Sequence, residues 1–281
     1  MINDPILITG LPRSGTTLVV KLLNEIPNVV ALNEPMPVGE MVGLNEDELF
    51  QWIGQYTERS RTLLIAEGKA ETKHINNLFV DNTYSESLNE LGLRPTHATH
   101  GLIDVKKLLT NQFMLAIKHN GAFTAVAHYL VQRYRCFAVT RNPLALLLSW
   151  QTVNIPINSG RMPIAEAIDP DLHASLNKIK DNLDRQIYLI NWFFERFHKY
   201  FLKDNIISYE NLTSMGGGYL EMITPSAVAI SSPLTSKNTN PIYKKDFSLV
   251  ASDRLLNTGG AFTEFYDNDE IELLCAELNS L

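Results

Sequence analysis

Gly10 and Gly15 enclose Leu11-Pro12-Arg13-Ser14 after the apolar run Ile6-Leu7-Ile8 and Thr9, and Thr16-Thr17-Leu18 follows. A strand that passes through such a loop into a helix turns backbone N–H groups, and the unpaired first-turn amides of the helix, toward an anion. Phosphate is the natural ligand of this arrangement. The glycine spacing matches the loop of nucleotide triphosphatases, but Thr16 stands where their lysine follows the second glycine. The cation of this loop is Arg13, whose planar fork suits phosphate or sulfate oxygens.

Other chemistry-bearing residues sit at the ends of apolar runs. Glu34 follows Val29-Val30-Ala31-Leu32, Lys118 and His119 follow Phe113-Met114-Leu115-Ala116-Ile117, and Arg141 follows Cys136-Phe137-Ala138-Val139-Thr140, with Ser149 eight positions later. In an open parallel sheet the carboxyl ends of the strands are where ligands bind. Taken singly, Glu34 reads as a solvated turn carboxylate and His119 as a strand-end surface histidine. His97 and His100, with no third ligand of suitable type nearby, read as loop histidines and not as a metal site.

Pro12-Arg13-Ser14-Gly15-Thr16-Thr17 resembles the 5′-phosphosulfate loop of the sulfotransferases that use 3′-phosphoadenosine 5′-phosphosulfate (PAPS). The form with arginine is most similar to the tyrosylprotein and bacterial carbohydrate-type branch. The resemblance implies that Arg13, Ser14, Gly15, Thr16 and Thr17 bind the 5′-phosphosulfate. It implies that Arg141 and Ser149, which reproduce the family's residues and spacing, bind the 3′-phosphate. Tyr209, in Tyr209-Glu210-Asn211-Leu212, matches the tyrosine beside the adenine. Lys118 matches the active-site lysine, acting with Arg13 on charge that develops during transfer.

The residue two after that lysine, where cytosolic members carry a base, is Asn120, which cannot take a proton. Glu34, at the matching distance after the loop arginine, is therefore the first choice for the base, with His119 the alternative. The implied reaction is in-line transfer of a sulfuryl group from PAPS to a hydroxyl of a small molecule or carbohydrate, with no metal required. A small-molecule kinase with magnesium ligands, or a nucleotide-binding protein without catalysis, are the competing readings of the same loop. The family's late Arg-Lys-Gly motif has only a loose echo in Arg254 with Gly259-Gly260, and Lys237, Lys244 and Lys245 are candidates to close over the nucleotide.

The positioning elements follow from the same pattern. With 281 residues, 45% hydrophobic, the chain suits a single domain over 1–281: a three-layer α/β fold with a central parallel sheet, in which 37–112 forms a helical cap over the site. Helices are expected over 47–66, 122–132, 172–201 as one long rod, and 268–281. Met215-Gly216-Gly217-Gly218 reads as a flexible connection. A formal charge of −7 argues against nucleic acid and densely sulfated polymers as partners. No apolar run approaches the roughly 20 residues that span a bilayer, and the first strand begins close to Met1, so a soluble cytoplasmic protein is expected. Cys136 and Cys275, one in a strand and one in a helix, suggest two buried thiols and no disulfide framework.

Overall fold

The computed structural model describes residues 4–280. Strand β1 (Ile6–Gly10) leads through the loop to helix α1 (Thr16–Leu23), and β2 (Val29–Asn33) follows. Then come α2 (Glu46–Glu67), β3 (Lys69–His74), β4 (Thr99–Asp104), β5 (Met114–Lys118), α3 (Gly121–Ala125), α4 (Ala127–Arg133) and β6 (Cys136–Thr140). The remainder holds α5 (Pro143–Trp150), α6 (Pro163–Ile168), α7 (Pro170–Lys178), α8 (Asn182–Tyr200), β7 (Ile206–Ser208), α9 (Tyr209–Met215), α10 (Lys245–Thr258) and α11 (Asn268–Ser280). Leu281, the last residue of the expected terminal helix, lies outside the described residues.

The main sheet has the order β2-β5-β1-β6-β7 with every neighbouring pair parallel. Its short strands are nearly all apolar because helices cover both faces. The period of two sorts their side chains: Ile6, Ile8, Val29, Ala31, Phe137 and Val139 pack toward α1 and α9, whereas Leu7, Val30, Leu32, Leu115 and Ile117 pack toward α2. This is the expected three-layer α/β architecture. Because the strands are parallel, their carboxyl ends open at one edge, and Gly10, Asn33, Lys118 and Thr140 end there together.

The region 37–112 does two different things. Helix α2, closed at its start by a reciprocal capping box between Asn45 and Glu48, buries Leu49, Ile53 and Leu64 in the same cluster as the sheet, so it is part of a layer. Strands β3 and β4 form an antiparallel pair, and Thr72 Oγ1 accepts from the Asn33 N–H, docking β3 on the end of β2.

Four local expectations are corrected. The stripe over 172–201 is not one rod: the chain is extended at Ile179, and Asp181 caps a new helix by accepting from Asp184 N–H. The leucine and phenylalanine spacing runs on because α7 and α8 face the same core. The helix over 122–132 breaks at Val126, which caps α3 and α4 at φ −105°. Gly217 is packed and not a flexible joint, since a Cβ there would fall 2.2 Å from Ile230 Cγ2. His100 lies on β4 and not in a loop, while His97 precedes the strand.

Candidate active site

The loop after β1 is a tight turn with Pro12 and Arg13 at its centre, closed by Ser14 N–H donating to Leu11 O at 3.0 Å. Proline at the first central position and a positive φ at the second form the type II pattern. Here the second position is Arg13, at φ 72°, a conformation that opposes a side chain. Three residues around α5 and its approach hold it there. Trp150 Nε1 donates to Pro12 O at 2.8 Å, Arg141 donates to Arg13 O at 2.8 Å, and Arg13 Nε donates to Ser149 Oγ at 3.2 Å. The next turn needs Gly15, at φ 97°, where a Cβ would meet Tyr209 Cδ2 at 2.7 Å. Gly10 is equally confined: a Cβ would lie 2.7 Å from Val139 O.

Beside the loop, Glu34 also occupies the left-handed region, at φ 50°. Its N–H donates to Lys118 O, and its carboxylate accepts from Lys118 Nζ at 2.8 Å and from Lys73 Nζ. Lys118 is buried and also donates to Asn33 Oδ1. Burial by itself would raise the Glu34 carboxyl, but Lys118 and then Lys73 outweigh it and hold the group well below the ordinary carboxylate range. Burial also lowers the Lys118 ammonium from its ordinary value, with Glu34 acting against the shift.

His119 is placed differently. It is buried, its Nε2 accepts from the Met36 N–H at 3.1 Å, and its ring stands edge-on to Phe123. Burial pushes it down to about 3, so it is neutral and carries its proton on Nδ1. The one lone pair able to take a proton is already engaged.

Lys118, Glu34, Arg13 and the loop border one cavity of about 740 Å³, in the upper part of the range of roughly 300–1,000 Å³ for small-molecule sites. Six cationic side chains line it (Arg13, Lys73, Arg94, Lys118, Arg141, Lys237) against three carboxylates (Glu34, Asp81, Glu86), so an acidic protein presents a cationic interior to an anion. Arg13 is lowered to about 10 by burial and by the like charges of Arg94 and Arg141. Asn33 Nδ2 and Asn120 Oδ1 are buried on this wall without a protein hydrogen-bond partner, groups that a polar ligand would satisfy, while Ser14, whose Oγ is also partnerless, is fully buried and does not line the cavity.

Arg141 reaches the cavity wall, stacks 4.6 Å from the Tyr209 ring centroid, and makes four hydrogen bonds, to Asn238 Oδ1, Arg13 O, Lys237 O and Tyr243 Oη. Ser149 is 1% exposed and stands behind Arg13, outside the cavity wall. Thr16, Thr17 and Tyr209 line the cavity, as does Lys237, whereas Lys244 and Lys245 do not. Arg254 is far from it in role, paired at the surface with Asp184 and Asp181.

Several contributors carry no motif. Lys73 comes from β3, and the segment between β3 and β4 supplies Asn82, which accepts from Arg13 Nη1, and Tyr84, whose ring lies 4.7 Å from the Arg13 guanidinium carbon. Asn33 is the neighbour of a residue that the sequence does mark. Among the described residues, no group of three or more His, Cys, Asp or Glu is arranged to hold a metal ion, and no helix is long and apolar enough to cross a membrane.

A loop of small residues between a buried parallel strand and a helix, at the end of a sheet ordered 2-3-1-4-5 along its main strands, defines an α/β protein of the phosphate-loop type. Residues 5–130 match the family described as the sulfotransferase family. A solved structure similar to the chain is sulfotransferase STF1 from Mycobacterium tuberculosis H37Rv (type 1 form), 13% identical, with 100% of this chain and 78% of that chain covered and a TM-score of 0.36. No curated protein matches the chain.

Proposed function

We propose that this protein transfers the sulfuryl group of PAPS to a hydroxyl acceptor, with Glu34 as the base. The observation that carries the reading is the Lys118–Glu34–Lys73 bridge beside an anion-binding loop: a carboxylate and two ammonium groups meet where three strand ends converge. The loop amides with Ser14, Gly15, Thr16 and Thr17 hold the 5′-phosphate. Arg141 serves the 3′-phosphate, joined by Ser149 once its bond to Arg13 opens, and Tyr209 lies along the adenine.

The donor supplies an activated sulfur. As the acceptor oxygen forms its bond to sulfur, the bond from sulfur to the phosphate oxygen breaks and adenosine 3′,5′-bisphosphate leaves. Glu34 takes the hydroxyl proton. Arg13 and Lys118 stabilise charge on the sulfuryl and leaving oxygens. His119 keeps its alternative place only in name, because its Nε2 is occupied by Met36 N–H. Arg13 in the loop and Glu34 after the next strand keep the protein close to the tyrosylprotein and bacterial carbohydrate-type branch. Two unpaired thiols, Cys136 and Cys275, fit a reducing compartment such as the cytoplasm. Thermal-shift titration tests the donor: stabilisation by adenosine 3′,5′-bisphosphate without metal is expected, and stabilisation by magnesium ATP alone would replace this reading with a kinase.

A further inference from the structure

Past Glu34 the cavity changes character. Met36 and Val38, after β2, form one side of its wall. Ile155 and Ile157 come from the turn after α5, and Met162 and Ile164 from the start of α6. These six side chains hold no N–H or O–H group, and they arrive from three separate segments. They are also fixed. Met162 lies against Gly121 so closely that a Cβ there would come within 2.4 Å of its Cε, and Met36 N–H is tied to His119. Val38 and Ile164 pack on the cluster under α2, Ile155 and Met162 on the one around α5 and α8. The nearest carboxylate on α6, Glu166, is buried and engaged with Met162 N–H and Arg161.

We infer that the acceptor is a compound with a compact apolar body and a hydroxyl at its edge, a phenol or hydrophobic alcohol, lying on this wall with its oxygen at Glu34. This rests on the sulfuryl-transfer reading and narrows its acceptor. Apolar surface brought from water onto the wall favours binding in proportion to its area. A sugar would press several hydroxyls on a surface that offers them no partner, each a loss on the order of tenfold in affinity.

The test uses the full chain, 2-naphthol and methyl β-glucoside as probes, and equilibrium dialysis with and without adenosine 3′,5′-bisphosphate. The expected result is at least tenfold tighter binding of 2-naphthol than of the glucoside. Val38→Gln and Ile164→Glu, both at half-buried positions, should each weaken 2-naphthol at least fivefold while calorimetry gives an unchanged bisphosphate affinity, which also certifies their folding. Equal or tighter binding of the glucoside, or 2-naphthol binding unmoved by both variants, overturns the inference. Failure of the bisphosphate to bind the wild-type protein strikes the donor reading instead, and the ratio of the two probes still decides the acceptor side.

Discussion

Replacing Glu34 by Gln removes one charge from between two ammonium groups and changes almost nothing in shape. Lys118 is 3% exposed at its side chain, Glu34 24% and Lys73 40%. Breaking a buried pair by removing one partner typically costs about 3–5 kcal/mol. Here the loss is smaller, because Lys118 keeps Asn33 Oδ1 and a neutral amide oxygen, and Lys73 can rehydrate. About 2 kcal/mol is expected, which for a domain of this size lowers Tm by about 3–4 °C.

The kinetic loss is larger: a general base contributes about 10²- to 10⁴-fold, or roughly 3–5 kcal/mol of barrier. Glu34→Gln should therefore lower kcat by that range while bisphosphate affinity in calorimetry stays within about threefold, a margin under 1 kcal/mol. The sign of the pH effect is fixed as well. A carboxylate held below its ordinary value in the folded state stabilises fully above that ordinary value, near pH 4.3, and its contribution is lost as pH falls toward the depressed one. The Tm gap between wild type and Glu34→Gln should be full at pH 7 and shrink below pH 4. A kcat within threefold of wild type, with the Tm loss present, would refute the assignment of the proton to Glu34.

His119→Ala should keep substantial activity on the same acceptor, yet lower Tm by several degrees, since it orphans the Met36 N–H and empties the space against Phe123; scanning calorimetry and initial rates check both. With the imidazole pushed down to about 3, the kcat/KM profile between pH 5.5 and 7.5 should show no inflection from it, and wild type and His119→Ala should trace the same shape. Arg141→Ala should weaken adenosine 3′,5′-bisphosphate at least tenfold more than adenosine 5′-phosphate in calorimetry; equal losses would reduce Arg141 to a brace for Arg13 O and Lys237 O. Lys118→Ala should lower kcat by more than it raises KM for the donor, the mark of a contact that strengthens during reaction.

The strands that carry Glu34, Lys118 and Arg141 are legible because a strand covered on both faces must be a short apolar run, and a polar residue closing such a run can only lie at the sheet's edge. Gly15 is legible for a similar reason, its left-handed φ being barred to other residues beside Tyr209. Lys73 is not. It lies in the polar stretch Lys69–His74, where nothing separates it from Lys69, and only the docking of Thr72 on Asn33 turns it to the site. Asn82 and Tyr84 belong to a segment with no period at all, so their meeting with Arg13 depends on tertiary packing. The break before Asp181 is masked for the opposite reason: the apolar spacing on both sides is good, and one capping carboxylate overrides it.

Arg94 and Arg141 act against the charge of buried Arg13 inside the cavity, and Arg13 adds a backbone conformation that a side chain resists. All of that opposes folding while the cavity holds no anion, and an anion reverses the sign of the first part. A ligand at a hundred times its Kd adds about 2.7 kcal/mol of stability, a change of about a hundredfold in the unfolded fraction on which proteases act. The amount of this protein a cell retains is thereby tied to its supply of the anion, independently of how much is synthesised. Protein deprived of such an anion would be cleared faster than protein that holds one.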